Sequence, residues 1–540
     1  MNNRQNTYNH PPQGEQMPPF APIPPQMGIP MRLRRRMTWR EKWMQRIGMD
    51  TIAQAPTKGA LTIPNWLTGK AMVFFFVAMF TSWFAFGYVP EFTLWFIAVL
   101  SVVLFFYGGQ AMSKSWERTK EKIFVRNVFI AGVVIRLLWV LYCYFIFNPE
   151  YYGAPVGDRA DVEWYMPFGK AIAEWLKGES KLTFSQLVDA WNSAMDDWGY
   201  PMWLAIEYVL WGEVSDVFMP MFVKCIVGGY CAICIYHVTK RHFGEGTARL
   251  AAIFVCVNPN MIYWCGTMFK EVEMVFLVCL AVDNFDRVLN SGQRYTFKSL
   301  LPGMLAATAL FFFRSALGIV LFLAVFAHII MASNRVMSFG KKVLAGVIVA
   351  SVLIVSMGER IRVQSEDLIE KVQSDSSQKE IEWRGKQKNA AGRQQSFAKY
   401  AGAAVFAPLI FTLPFPTFNM AHEGHLLQVQ LSGGSYIKNI LSFFVILVML
   451  MMLISGEWRR HVFILAYTLG YLIVLVLSAF AQSGRFHMPI WPMILLFAAY
   501  GVQIAKTNAR VRKWLPIVLV IEVVACLAWN WFKLKGRGMI

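Results

Sequence analysis

Apolar runs separated by short polar stretches fill most of the chain after residue 70. About 20 apolar residues in helical conformation cross the roughly 30 Å of hydrocarbon in a bilayer. The runs are residues 71–88, 92–109, 125–148, 217–238, 248–265, 272–289, 300–313, 316–331, 343–357, 440–455, 462–481, 488–504 and 515–532. The pattern predicts an all-α integral membrane protein, a polytopic helical bundle with about thirteen transmembrane helices.

Basic residues cluster in every second break between these runs. The clusters are residues 31–46, 113–122, 239–249, 287–298, 333–342, 457–461 and 506–513. Because basic loops stay in the cytoplasm, we expect a multi-pass protein of the inner (plasma) membrane with a cytoplasmic N-terminus. The net charge of +19 then reflects topology, and nucleic acid is not an expected partner.

The polar stretches divide the chain into five predicted regions. These are a disordered Pro-rich and basic N-terminal region (1–70), two additional transmembrane helices (71–124), a transmembrane core with its first outer loop at 149–216 (125–357), an outer polar loop with a re-entrant or interfacial segment (358–439), and the C-terminal transmembrane helices (440–540). The re-entrant segment is 401–418, because a full crossing there would move every later basic loop outside.

Composition excludes several classes of protein. The chain is 56% hydrophobic and only 16% charged, with a mean hydropathy of +0.42. Its eight cysteines lie in or beside apolar runs, which argues against a disulfide framework. No HExxH, GxSxG, P-loop or dinucleotide-binding motif occurs, so metalloprotease, serine hydrolase and nucleotide-binding functions lack support.

The first outer loop concentrates acidic residues in an acid-poor chain. Asp158, Asp161 and Glu163 lie in the stretch GDRADVEWYMPFGKAIAEW, and Tyr165 follows Asp161 by four residues, which places both on one face of a helix. The apolar face of this amphipathic helix, which includes Phe168, is suited to a bilayer surface. Asp161 can act as a general base, or it can bind a divalent ion such as Mg²⁺ or Mn²⁺ with Asp158 or Glu163. The alternative is that these acids are the solvated face of a loop helix.

Three charged residues stand where apolar runs meet at the outer face. Arg314 interrupts the run FFFRSALGIV, and a guanidinium there can hold a phosphate bidentately or can extend to the interface without a ligand. Lys270 and Glu271 fill the short turn between two runs. They either line a site or form an exposed turn pair.

Four passages in this order resemble the polytopic C-type glycosyltransferase superfamily, which includes protein mannosyltransferases and aminoarabinose transferases. They are the outer-loop acid with an aromatic residue four positions later (161–165), the Pro-led run with a charged turn and a returning run (258–285), the arginine-bearing hairpin (310–325), and the stretch SGRFHMPIWP opening a late run (483–492). The resemblance covers roughly residues 125–501.

This resemblance implies a polyprenyl-phosphate-linked sugar donor and membrane lipids as partners. It implies that Asp161, with Asp158 second, is the catalytic base or metal ligand, although the family often shows two adjacent acids and Val162 follows here. It assigns Arg314 and Arg485 to the donor phosphate, with Lys270 beside them. Tyr165, Glu271 and His487 are further candidates for the site.

The sequence therefore predicts a membrane glycosyltransferase that moves a sugar to a lipid, glycan or protein acceptor at the outer face. One alternative is an O-antigen-type polysaccharide polymerase or ligase, since residues 358–400 form a late polar loop. The other is a lipid-linked glycan transporter or flippase, although the chain shows no convincing internal repeat.

Overall fold

The computed structural model describes residues 62–86, 92–157, 162–183, 185–187, 197–211, 217–290, 296–332, 432–477 and 485–536. The helices are α1 (Asn65–Phe86), α2 (Phe92–Val103), α3 (Gly109–Ser115), α4 (Glu121–Tyr142), α5 (Asn148–Tyr152), α6 (Val162–Lys177), α7 (Gly199–Trp211), α8 (Phe218–Val257), α9 (Pro259–Tyr263), α10 (Glu271–Leu289), α11 (Phe297–Ala332), α12 (Ser432–Ser455), α13 (Val462–Leu477), α14 (Trp491–Thr507) and α15 (Ala509–Gly536). Within these ranges there is no strand, which confirms the all-helical prediction.

Six of the described helical segments are long and apolar enough to cross a membrane, and two shorter apolar helices accompany them. The count of thirteen crossings and the five regional boundaries stay predictions. The predicted span 343–357, the polar loop 358–400 and the re-entrant segment 401–418 lie outside the described residues.

α8 is a hairpin with its break at Gly244, where φ is 81°. A Cβ on Gly132 of α4 would lie 3.3 Å from Gly229 and 3.7 Å from Cys256, so the two halves of α8 run side by side on α4. Only glycine adopts this positive φ without strain, which explains the residue at the reversal. The predicted span 217–238 corresponds to the first half, whereas the predicted span 248–265 extends past the end of the second half at Val257 into α9.

α11 reverses in the same way at Arg314, which has extended backbone angles inside the helical range. Phe285 of α10 contacts both halves: its ring centroid is 6.3 Å from that of Phe322, and its ring atoms would lie 2.9 Å from a Cβ on Gly303. The hairpin therefore carries Arg314 at its tip, at the same end of the bundle as the turn before α10.

A buried arginine closes the C-terminal end of α8. Arg136 of α4 is fully buried, and its guanidinium donates to the carbonyls of Val255 and Cys256 at 3.1 Å each. The last carbonyls of a helix have no partner within the helix, and Pro259 has no N–H to offer them. Arg136 thus has a structural role, and it fixes the chain as it enters the turn before α10.

Candidate functional site

The segment Gly266–Glu271, called here the central turn, is buried at one end of the bundle. Lys224 of α8 holds it in place, since its ammonium donates to the carbonyl of Thr267 at 2.9 Å and to the carbonyl of Phe269. The Glu273 carboxylate lies 3.6 Å from the same ammonium. Because all these groups are shielded from solvent, the turn is rigidly positioned. The alternative of an exposed Lys270–Glu271 pair is therefore wrong.

Lys270 links the central turn to two other segments. Its ammonium forms an ion pair with Asp197, which lies just before α7, and donates to the carbonyl of Phe313 at 2.9 Å. That carbonyl precedes Arg314 and is freed by the break in α11. The ammonium also lies 5.9 Å from the centroid of the Tyr165 ring, and the Tyr165 hydroxyl donates to Asp197 at 3.4 Å.

Glu271 and Arg485 form a second ion pair in direct contact with the first. The Glu271 carboxylate is fully buried and accepts from Nε of Arg485, whose guanidinium lies over the Phe269 ring at 4.4 Å. The second carboxylate oxygen of Glu271 has no hydrogen-bond partner among the described residues. Thus Lys270 and Glu271, adjacent in sequence, connect the outer-loop segment and the segment before α14 to one turn.

Arg314 lies beside the same segment. Its guanidinium carbon is 4.3 Å from the centroid of the Phe486 ring, and Nη1 donates to the Tyr471 hydroxyl at 3.4 Å. Tyr471 in turn donates to the carbonyl of Phe486 at 2.9 Å. Across the ranges that the structure describes, no carboxylate forms an ion pair with Arg314.

Another buried basic residue is Lys438 of α12, whose Nζ lies 2.8 Å from Nδ1 of His487. Because an ammonium only donates, His487 accepts at Nδ1 and carries its own proton at Nε2 when neutral. The site end of the bundle thus gathers Lys270, Arg314, Arg485 and His487, which the sequence analysis selected from separate passages.

Electrostatics at this end favour an anionic ligand. Burial lowers the pKa of Lys270, Asp197 opposes this shift, and the neighbouring Arg314 adds to it. The described charges around the central turn are four cations (Lys224, Lys270, Arg314, Arg485) and three anions (Asp197, Glu271, Glu273). A positive excess in a poorly hydrated place attracts a phosphate-bearing molecule more strongly than the same charges in water.

The predicted acids of the outer loop are only partly described. Asp158 and Asp161 lie outside the described residues, and Glu163 is exposed in the first turn of α6. No group of three metal-ligating side chains occurs in the described part of the chain. The assignments of base and divalent metal ion stay predictions.

The predicted amphipathic helix is α6, but its apolar face has a different partner. Tyr165 meets the Tyr200 ring edge-on at 5.3 Å, and a Cβ on Gly169 would lie 3.0 Å from Leu204 of α7. Phe168 is buried and packs edge-on against Trp198. The apolar face of α6 therefore packs against α7 and the residues before it, and the interpretation that this face rests on a bilayer is wrong.

Sequence reasoning missed three residues of the site: Asp197, Tyr471 and Lys438. Tyr471 is one aromatic residue within a long apolar run, and nothing in its spacing points to Arg314. Asp197 stands in the polar stretch MDDWG, which looks like any loop. Lys438 could have been selected from the sequence, because it is a charged residue only two positions before a predicted span, where a charge is costly.

Comparison with known families agrees with this geometry. Residues 190–359 match the model of the Alg9-like mannosyltransferase family, a polytopic C-type glycosyltransferase family with polyprenyl-linked sugar donors. The matched range contains Asp197, Lys270 and Arg314, whereas Tyr165 and Arg485 lie outside it. No curated protein and no solved structure matches the chain. The resemblance inferred from the four passages is confirmed.

Proposed function

We propose that this chain, a polytopic C-type glycosyltransferase with a lipid-linked sugar donor, transfers the sugar from a polyprenyl phosphate to an acceptor hydroxyl at the end of the bundle that carries the central turn. The positive-inside pattern supports assigning this end to the outer face of the membrane. Mannose is the first sugar to test, because the matching family consists of mannosyltransferases.

The observation that carries the proposal is the unmatched charge of Arg314. Among the described residues, the half-buried Arg314 guanidinium contacts a tyrosine hydroxyl and an aromatic ring. Because a guanidinium has five N–H donors, it has donors left for an anion. A phosphate accepts two parallel N–H donors from arginine, and Lys270 and Arg485 lie close enough to contribute further positive charge.

The position of this cluster suits a donor that is half lipid. A polyprenyl phosphate keeps its chain in hydrocarbon and its phosphate near the headgroups, where helix ends and their turns are found. Cations there stabilise the negative charge that develops on the departing phosphate. Asp161 would remove the acceptor proton. In the alternative, Asp161 with Asp158 or Glu163 would hold a Mg²⁺ or Mn²⁺ ion, which would stabilise the charge on the leaving phosphate.

The experiment measures transfer of labelled mannose from polyprenyl-phosphate-mannose by the full-length protein in nanodiscs. We expect Arg314→Gln to lower kcat/KM by about 100-fold or more, as loss of one donor to developing charge does elsewhere, and Arg314→Lys to restore part of it. The matched control is Arg287→Gln, because Arg287 is an exposed arginine at the opposite end of α10 whose hydrogen bond within the described residues is to Asn284. Equal activity of Arg314→Gln and Arg287→Gln would refute the assignment of Arg314.

A second variant tests the base. Asp161→Asn should abolish most transfer while donor binding persists, since a neutral amide cannot accept the acceptor proton. If transfer continues at the wild-type rate, the base is another group. Absence of transfer from every polyprenyl-phosphate sugar by the wild-type protein would contradict the proposed donor class.

A further inference from the structure

The two ion pairs of the central turn differ in their access to solvent. The Glu271 carboxylate is 0% exposed in its pair with Arg485, whereas Asp197 is 38% exposed in its pair with Lys270. The Lys270 side chain itself is 6% exposed. The two pairs therefore differ in their anions: Glu271 is buried, whereas Asp197 is accessible to solvent.

The described neighbours of Lys270 place a second anion beside Asp197. Among the described residues, the Lys270 ammonium contacts the carbonyl of Phe313, the Tyr165 ring and the Asp197 carboxylate. A phosphate reaching Lys270 from the side of Arg314 comes close to the Asp197 carboxylate. Two anions cannot share one ammonium at low local dielectric without strong repulsion.

Asp197 is also held more weakly than Glu271. Besides Lys270, its contact among the described residues is a single long hydrogen bond from the Tyr165 hydroxyl at 3.4 Å. Because Asp197 is 38% exposed, water can hydrate its carboxylate when it leaves Lys270, whereas the buried carboxylate of Glu271 has no such replacement. The Lys270 ammonium is only 6% exposed, so it needs a new anion when Asp197 leaves, and a phosphate can supply it.

We propose that Asp197 is a resident counter-ion that the donor phosphate displaces from Lys270. In the free enzyme Asp197 keeps the buried ammonium paired, and in the donor complex the phosphate takes its place. This inference rests on the proposed function. It makes Asp197 a residue that sets donor affinity through Lys270.

The test compares binding of polyprenyl phosphate, the sugar-free leaving group, to the full-length protein in nanodiscs by isothermal titration. The variants are Asp197→Asn and Asp197→Ser, with Glu174→Gln as the control. Glu174 is an exposed acid on α6, so its replacement removes the same unit of charge from the same outer loop without touching Lys270.

The two possible roles of Asp197, competition with phosphate and simple attachment of the loop, predict different changes in the affinity for polyprenyl phosphate. If Asp197 competes with phosphate, both Asp197 variants bind polyprenyl phosphate roughly three- to tenfold more tightly than wild type, and Glu174→Gln changes affinity less than twofold. If Asp197 merely attaches the outer loop to the turn, the variants bind equally or more weakly, and the inference is overturned. The serine variant is a second test, because serine is smaller than asparagine and brings no amide group that could form a new contact with the phosphate.

The outcomes separate this inference from the proposed function. Wild-type binding and transfer with no tightening in the Asp197 variants overturns the counter-ion alone and leaves the donor class standing. Failure of the wild-type protein to bind polyprenyl phosphate overturns both. A lower KM for the donor in Asp197→Asn, measured in the transfer assay, would support displacement independently of the binding data.

Discussion

The burial of Glu207 predicts a measurable dependence of the free energy of unfolding on pH. It lies on α7, which is not among the candidate membrane-spanning segments, and only 5% of it is exposed. Burial raises the pKa of Glu207 from 4.5 to about 8, and the negative charge of Glu273 adds to the shift. Trp203 Nε1 donates to one carboxyl oxygen at 2.7 Å, while the other has no partner among the described residues.

The sign follows from proton binding. Between pH 4.5 and pH 8 the folded protein keeps a proton on Glu207 that the unfolded chain has lost, so the free energy of unfolding falls as the pH rises. The slope is about 1.4 kcal/mol per pH unit, which amounts to about 3.5 kcal/mol between pH 5 and pH 8. Glu207→Gln keeps the acceptor for Trp203 and removes the titration.

We therefore expect the two proteins to be similarly stable at pH 5 and the glutamine variant to be the more stable at pH 8. The assay is unfolding by sodium dodecyl sulfate in mixed micelles, followed by tryptophan fluorescence at several pH values. Other titrating groups affect both proteins equally and cancel in the difference. A difference between the two free energies of unfolding that does not change with pH would refute the reasoning, because Glu207 would then be ionised in the folded state.

Two further predictions concern the scaffold. Lys224→Met should lower the free energy of unfolding by about 3–5 kcal/mol in the same assay. The reason is that it leaves buried Glu273 and two carbonyls of the central turn without their cation. Unchanged stability would show that the cation is dispensable. Gly501→Ala should cost about 1–3 kcal/mol, since the added Cβ would lie 2.7 Å from the carbonyl oxygen of Phe444 where α12 and α14 cross. Gly69→Ala, with no atom within 4 Å of its Cβ, is the matched control and should be neutral or stabilising; equal losses at both glycines would exclude close packing as the cause.

The helical fold and several residues of the site could be predicted from the sequence for one physical reason. Charges are rare in apolar runs, so Arg314 and Lys270 are conspicuous, and their cost in a membrane makes each a functional candidate. Their mutual proximity did not follow from this rule. Their proximity depends on the chain reversals at Gly244 and Arg314 and on the contact of Arg314 with a segment more than 150 residues later in the chain. The periodicity of apolar residues does not predict such contacts.

The apolar face of α6 illustrates a different limit of pattern reading. The spacing of Tyr165, Phe168 and Ile172 correctly indicates one buried face. Spacing identifies which side is buried, but it says nothing about what covers it. The covering surface is α7, which Gly169 of α6 allows to approach closely. None of the α7 residues is marked as a partner by its own position in the sequence.

The central turn explains why the site is assembled from distant parts of the chain. Successive residues of a helix point about 100° apart, so Lys270, Glu271 and Glu273, at the start of α10, face three different directions. Each direction presents an opposite charge from a different segment: Asp197 from the outer loop, Arg485 from the segment before α14, and Lys224 from α8. In two of these pairs the carboxylate is buried, and these pairs fix the turn before any ligand arrives. The third has a half-exposed anion, so the one position that can change partners lies beside Arg314, where the donor phosphate is proposed to bind.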